Sequence, residues 1–179
     1  MDISKVKLTN LQIDIFSLLC SRAGEKLSQR EIAIKINVSP TAVANALVNL
    51  KEGGLVKVEK VKNINFVSFN RDEKKALELK RVENLKNIYL SKLSDYLEVQ
   101  FAGAAIIIFG SYSLGEDTTY SDIDLAVIGR KEKIVNLEKF EKILNRKINI
   151  NFYNSFKNIH KHLLNNILNG IVFAGNVEL

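Results

Sequence analysis

The sequence predicts an α+β protein in three segments: a small domain of helices and a hairpin over 1–70, a helical connector over 71–103, and an α/β domain over 104–179. Three observations carry this reading. Capped helical patterns fill the first fifty residues and give way to two alternating runs. Arg71 to Gln100 is charged and holds neither Gly nor Pro. An apolar run ends at Phe109-Gly110-Ser111 and is followed, ten residues on, by Asp122-Ile123-Asp124-Leu125.

In the first segment, Leu11, Ile15, Leu18 and Leu19 recur at helical spacing and predict a helix from about Thr9 to Ala23. Ser28-Gln29-Arg30-Glu31 opens a second helix with a capping-box pattern. By period alone, Ile32, Ile34 and Ile36 fit either helix or strand, and the cap decides for helix. Asn37-Val38-Ser39 forms a turn. Ser39 caps a third helix, with Pro40 in its first turn. Val43, Ala46, Leu47 and Leu50 line one face, and Gly53-Gly54 ends it. Leu55 to Lys60 and Ile64 to Phe69 alternate around Lys62-Asn63 as a β-hairpin.

That order matches a winged helix-turn-helix. The second helix of such a pair lies in the major groove. Its outward residues here are Thr41, Ala42, Asn45 and Asn49, and asparagine can pair with adenine through two hydrogen bonds. Lys57, Lys60 and Lys62 on the hairpin are candidates for phosphate contacts. The net charge of +6 favours this end. Residues 1–70 hold ten Lys/Arg against six Asp/Glu, whereas 71–103 hold seven against six and 104–179 nine against eight. Double-stranded DNA is therefore one expected partner. Winged helices also serve as protein-docking or dimerisation modules, and Lys51 is the one basic residue of the recognition helix.

The connector carries Leu77, Val82, Leu85, Ile88, Tyr89, Leu93, Tyr96 and Leu97 as an apolar stripe. It reads as one long helix, or as two broken near Ser91–Ser94. It packs on the following domain or forms the seam of a homodimer.

The chain's bounds exclude several classes. No apolar run approaches the roughly 20 residues of a membrane helix. Met1-Asp2-Ile3-Ser4-Lys5 lacks the basic-then-apolar pattern of a signal peptide. The expectation is a cytoplasmic protein with no membrane partner. Cys20 is the single cysteine and falls on an apolar helix face, so it reads as a buried thiol. His160 and His162 stand two apart in a predicted helix, which does not suit a zinc pair.

The last segment carries the chemistry. Ala104 to Phe109 reads as a buried strand. The Gly110-Ser111 turn that ends it can offer backbone N–H groups and a hydroxyl to phosphate oxygens. In a strand, Asp122 and Asp124 point to one face, while Ile123 and Leu125 face the core. Two carboxylates beside a Gly-Ser turn suit a divalent cation and a phosphate chain.

Phe109-Gly110-Ser111, ten residues, then Asp122-Ile123-Asp124-Leu125 resembles the nucleotidyltransferase superfamily that includes polymerase beta. Its minimal members are the most similar, and the union with a winged helix resembles archaeal proteins of that build. The resemblance covers nearly the whole chain. It implies a mixed sheet ringed by helices, with Gly110, Ser111 and Ser121 at the nucleotide. It also implies Asp122 and Asp124 as catalytic ligands of Mg²⁺, and a nucleoside triphosphate, ATP first among them, as substrate or ligand. Mg²⁺ is ordinarily held by one or two carboxylates plus phosphate oxygens.

Active members of that family carry a third carboxylate on a neighbouring strand. In Lys147 to Tyr153 the expected position falls on Asn149, or on Asn151 if the register slips. An amide can ligate a cation but cannot serve as a base near neutral pH. Glu116 and Asp117 read as solvated loop residues, Arg130-Lys131 as a solvated strand end, and Ser155 to Asn169 as a packing helix. Three functions follow: a Mg²⁺-dependent transferase acting on a hydroxyl of an unknown acceptor, such as a protein; a DNA-binding regulator that binds nucleotide without turnover; or an antitoxin-like partner of a helical toxin.

Overall fold

The computed structural model describes residues 8–178, so the reading of Met1 to Lys5 lies outside the described residues. Two compact units divide the chain, the first ending at Lys80 and the second beginning at Arg81.

In the first unit, α1 (Asn10–Ser21) starts at Thr9 with a full capping box: Gln12 N–H donates to Thr9 Oγ1, and Thr9 N–H donates to Gln12 Oε1 at 2.8 Å. A two-residue strand β1 (Leu27–Ser28) leads into α2 (Gln29–Lys35), where Ser28 and Glu31 form the second box. Helix α3 (Pro40–Glu52) begins at Ser39, whose Oγ accepts from Ala42 N–H at 3.1 Å. Val43, Ala46, Leu47 and Leu50 are all buried, in one core with Ile15, Leu19, Ile32 and Val67.

The hairpin follows as β2 (Val56–Val61) and β3 (Ile64–Phe69), paired antiparallel across a turn in which Lys62 takes φ of 54°. β1 adds to the far side of β3, giving the order β1-β3-β2. Two residues carry no strand period, so this third strand had no local signal. The unit is a winged helix-turn-helix.

The division between the units falls within α4 (Lys74–Leu90), which breaks at Ser91-Lys92 before α5 (Leu93–Gln100). Ser91 Oγ donates to the Ile88 carbonyl at 2.8 Å, and Lys92 turns the chain with φ of 62°. The serine thus takes over a backbone acceptor at the helix end, which is what lets the helix stop there.

The second unit then runs β4 (Ala105–Phe109), α6 (Gly110–Leu114), β5 (Ile123–Ile128), α7 (Glu138–Leu144), β6 (Ile148–Tyr153), α8 (Lys161–Leu168) and β7 (Ile171–Ala174). The sheet order is β6-β5-β4-β7, with β5 and β6 parallel and the other neighbours antiparallel, so the sheet is mixed. One face joins Ile106, Ile108, Ile123, Leu125 and Val127 to Leu93, Leu97 and Phe101. The other joins Ile107, Phe109, Ala126 and Ile128 to Phe156, Ile159 and Ile167.

The carboxyl-terminal helix is shorter than the stripe of apolar residues implies. Phe156–Asn158 is a single 3-10 turn, Ile159 and His160 are extended, and α8 starts only at Lys161. Burial of Ile159 under the sheet overrides the local period. α7 carries one buried apolar residue, Phe140, which is too little for a periodic signal. At the α8–β7 joint the chain passes so close to β4 that a Cβ on Gly170 would lie 2.2 Å from the Ile108 carbonyl oxygen. Only glycine permits that approach.

Candidate active site

The alternation of β5 decides where its carboxylates go. Asp124, Ala126 and Ile128 share one face, and the apolar pair of that set lies under Phe156 and Ile167. Asp124 lies at the end of this face, opposite Phe109 on β4 and Asn149 on β6. Asp122 stands two residues earlier, just outside the strand, anchored by Ile123 N–H donating to the Lys147 carbonyl at 2.8 Å.

Asn149 ties the two acids together. Its Nδ2 donates to Asp122 Oδ2 at 3.1 Å and to Asp124 Oδ1 at 3.3 Å. One small polar group reaching both carboxylates means that two anionic oxygens converge on a single point. Asp122 and Asn149 are exposed and Asp124 half-buried, so the point opens to solvent. Asn151 sits one repeat further along and turns to the Leu125 carbonyl at 3.5 Å. The parallel register thus places Asn149, and not Asn151, at the acids.

Gly110 closes the other flank. It takes φ of 72°, and a Cβ there would lie 3.1 Å from Asp124 Oδ2. Both the backbone conformation and the space favour glycine. Ser111 follows at the start of α6, half-buried, its carbonyl accepting from Glu116 N–H at 2.9 Å. Ser121 is engaged in a turn: its Oγ accepts from Thr118 N–H at 2.9 Å, and its own N–H donates to the Thr118 carbonyl. Ser121, Tyr120 and Asp122 line one side of a cleft of about 680 Å³. Glu138, Glu141, Lys142 and the Asn145-Arg146-Lys147 run line the other.

Behind these residues lies a buried polar network that sequence reading did not find. Asp117, read as a solvated loop residue, is 1% exposed. Its Oδ1 accepts from Asn84 Nδ2 at 2.7 Å, and its Oδ2 lies 3.6 Å from Arg146 Nη2. Asn84 Nδ2 also donates to the Tyr112 carbonyl at 2.9 Å. Burial first, and then the Asp117 charge, push the Tyr112 phenol well above its ordinary range. The network joins α4, α6, the loop before Asp122 and the loop before β6. An Asn in a charged helix and an Arg-Lys pair in a loop gave no hint of it.

Glu141 on α7 fastens the same end of β6. Its Oε1 accepts from Ile148 N–H at 3.1 Å and its Oε2 meets Lys147 Nζ at 3.3 Å. The backbone N–H, and after it Lys147, hold this carboxyl below the ordinary carboxylate range. Strand direction carries Arg130 away from the acids. It leaves the opposite end of β5 and donates through Nε to the Ala102 carbonyl at 3.1 Å.

Can this site hold a cation? Among the described residues there is no cluster of three His, Cys, Asp or Glu. Two carboxylates converging on one exposed point, with an amide able to present its oxygen after a half-turn, are hard donors. They fit an ion that keeps several waters and takes phosphate oxygens, as Mg²⁺ does.

On the first unit, Thr41, Asn45 and Asn49 are exposed on one side of α3, with Ala42 half-buried beside them. Lys57, Lys60 and Lys62 are exposed on the hairpin. Lys57 is ion-paired with Asp72, whose carboxyl that contact holds low.

Residues 90–174 match the family model of the nucleotidyltransferase domain. The match begins within the segment read from the sequence as connector. No curated protein matches the chain. Among solved structures, the chain is similar to the zinc-responsive MarR family member ZitR of Lactococcus lactis, at 30% identity over 54% of this chain and 64% of that one, with a TM-score of 0.38. It is similar to wild-type ZitR in complex with DNA at 29% identity, covering 54% and 63%, with a TM-score of 0.38. It is also similar to the adhesin competence repressor AdcR of Streptococcus pyogenes, at 20% identity over 55% and 72%, with a TM-score of 0.41. The chain thus spans roughly two thirds of these proteins, and TM-scores of this size carry no argument about function. No helix among the described residues is long and apolar enough to cross a membrane.

The supporting network is open to test by stability measurements. Asp117→Ala removes the carboxylate from a buried ion pair, so it is expected to lower the unfolding free energy by about 3–5 kcal/mol, measured by urea titration. Glu141 has a folded pKa below its unfolded one. Its contribution is therefore fully present above the ordinary carboxylate pKa and is lost as pH falls through the lowered value. Glu141→Gln is expected to flatten the acid limb of the stability–pH curve below about pH 4.5 and leave the neutral limb's slope unchanged.

Proposed function

We propose that this protein is a Mg²⁺-dependent nucleotidyltransferase that takes a nucleoside triphosphate, ATP first among them, and moves its nucleotidyl group to a hydroxyl acceptor, with a winged helix that binds DNA. The observation that carries the reading is the convergence of Asp122 and Asp124 on Asn149 Nδ2, beside Gly110, in a stretch that matches the nucleotidyltransferase-domain model.

Asp122 and Asp124 would hold the cation, and Asn149 would offer its amide oxygen. When bound, the cation neutralises charge on the triphosphate and on the departing pyrophosphate. The chain's own part is positioning. Gly110 lets a phosphate approach where a side chain would stand against Asp124. Ser111 supplies a hydroxyl at the same corner. Asp122 and Asp124, fixed by the β4–β5–β6 register, set the line along which the acceptor oxygen meets the α-phosphorus. Most of the rate in such chemistry comes from this alignment and charge neutralisation.

A second reading has a specific observation in its favour. Asn149 occupies the place of a third carboxylate, and an amide takes no proton at neutral pH. On that reading the domain binds nucleotide without turnover and informs a DNA-binding unit. An antitoxin-like partnership with a helical protein would use the same site on a protein hydroxyl.

Radiolabelled ATP with Mg²⁺ and a panel of hydroxyl acceptors separates the readings. The first expects label transfer that disappears in Asp122→Asn, Asp124→Asn. In Asn149→Asp a restored base is expected to raise the rate by about 10²–10⁴-fold. Transfer that persists in the double variant overturns the site, and binding without transfer in the wild type supports the second reading. For the winged helix, DNA affinity is expected to fall with salt. Lys60→Ala, Lys62→Ala should reduce the log–log slope by roughly two, near one for each phosphate that a lysine no longer neutralises. An unchanged slope would remove these lysines from the interface.

A further inference from the structure

We infer that Asn84 is a positioning residue of the nucleotide site. Its one amide group holds the Ser111 corner and the approach to Asp122 at a fixed spacing, so that a triphosphate and a cation bind as a pair. The inference rests on the nucleotide site proposed above and adds to it a residue from outside the matched domain. Asn84 lies on α4, upstream of residue 90, where the match begins.

Strand register alone does not set this spacing. The β4–β5 ladder places Phe109 opposite Asp124, and Gly110 stands against the same carboxylate. Ser111 and Asp122 lie beyond the ladder, the first in α6 and the second before β5 begins. The chain between them holds no strand, so other contacts have to fix it.

Asn84 grips that chain at its middle. The residue is buried, and its amide nitrogen carries two hydrogens. One goes to the Tyr112 carbonyl at 2.9 Å and the other to Asp117 Oδ1 at 2.7 Å. Tyr112 returns the contact, its hydroxyl donating to the Asn84 carbonyl at 3.4 Å. From Tyr112, α6 leads back to the corner, where Ser113 Oγ donates to the Gly110 carbonyl at 2.8 Å and Glu116 N–H to the Ser111 carbonyl at 2.9 Å. From Asp117, a closed turn leads on to Asp122: Thr118 N–H donates to Ser121 Oγ at 2.9 Å, and Ser121 N–H to the Thr118 carbonyl at 3.1 Å. Ile88, one turn further along the same face of α4, is buried in a core with Leu93 and Leu97 and fixes that face. One nitrogen on an anchored helix thus joins the two arms that carry Ser111 and Asp122.

The consequence is coupling between the two ligands. Phosphate oxygens have to reach the cation, and Mg²⁺ demands near-ideal octahedral geometry. With the corner and the acids held at the right distance, each ligand raises the affinity for the other by the same factor. Released from Asn84, the corner still meets a triphosphate and the acids still meet a cation. The cost of ordering the two arms then falls on the ligands, and the mutual gain is lost.

The test titrates ATP into full-length protein at equilibrium, once in Mg²⁺ and once in EDTA. The ratio of the two affinities measures the coupling and needs no turnover. In the wild type, Mg²⁺ is expected to tighten ATP binding by about tenfold or more. Asn84→Leu keeps the branched shape and removes both N–H donors. It is expected to bind ATP in EDTA as the wild type does and to lose most of the gain in Mg²⁺. Tyr112→Phe removes only the hydroxyl contact and is expected to lower the ratio by less. A merely structural role would lower both affinities together and leave the ratio unchanged. Circular dichroism melts verify that the variants are folded. An unchanged ratio in Asn84→Leu, or in Tyr112→Phe should Asn84→Leu fail to fold, overturns the role of Asn84, while the nucleotide site stands. Wild-type binding that Mg²⁺ does not tighten overturns that role as well. If the wild type binds ATP in neither solution, the nucleotide reading falls, and the role of Asn84 with it.

Discussion

The site depends first on strand register. β5 lies between an antiparallel and a parallel neighbour, and the same residue, Asp124, is met by Phe109 on one side and Asn149 on the other. Because side chains alternate strictly along a strand, a slip of one residue would turn Asp124 toward the core that Ile123, Leu125 and Val127 occupy. The burial of Ile123, Leu125 and Val127 on the opposite face makes such a slip prohibitive. Apolar packing on both faces of the sheet therefore holds Asp124 at the end of its strand.

A second constraint acts on the loops. The approach to Asp122 and the approach to β6 carry no regular structure, yet they position the acids and Asn149. Asp117 and Arg146 meet in the interior, with Asn84 binding the same carboxylate. A buried ion pair is a poor source of net stability, because desolvation offsets much of the attraction. Its value lies in direction: each charge tolerates only a geometry in which the other stands near. Glu141 repeats the device at the surface by seizing the first backbone N–H of β6. Loop ends that carry chemistry are thus held by polar contacts, while the strands are held by apolar ones.

The amide at Asn149 gives the site its character. It donates through Nδ2 to both acids; in the proposed reading it would turn its oxygen to the cation and offer no base. The reading of the domain as a nucleotide sensor starts from this one residue.

Local chemistry was legible from the sequence alone. The capping box at Ser28, the Ser39-Pro40 start, the alternation around Lys62-Asn63 and the Gly110-Ser111 corner act within a few residues, so their signals survive in one dimension. The winged helix and the pairing of Asp122 with Asp124 follow from such signals, whereas the connector read equally as one helix or two. Tertiary structure alone decided what depends on residues distant in the chain. It selected Asn149 over Asn151, since register is set by a neighbouring strand. It added β1 to β3 and broke the last helix at Ile159, where burial outweighs a local period. It buried Asp117, because only the fold brings Arg146 and Asn84 to a carboxylate that would otherwise remain in water.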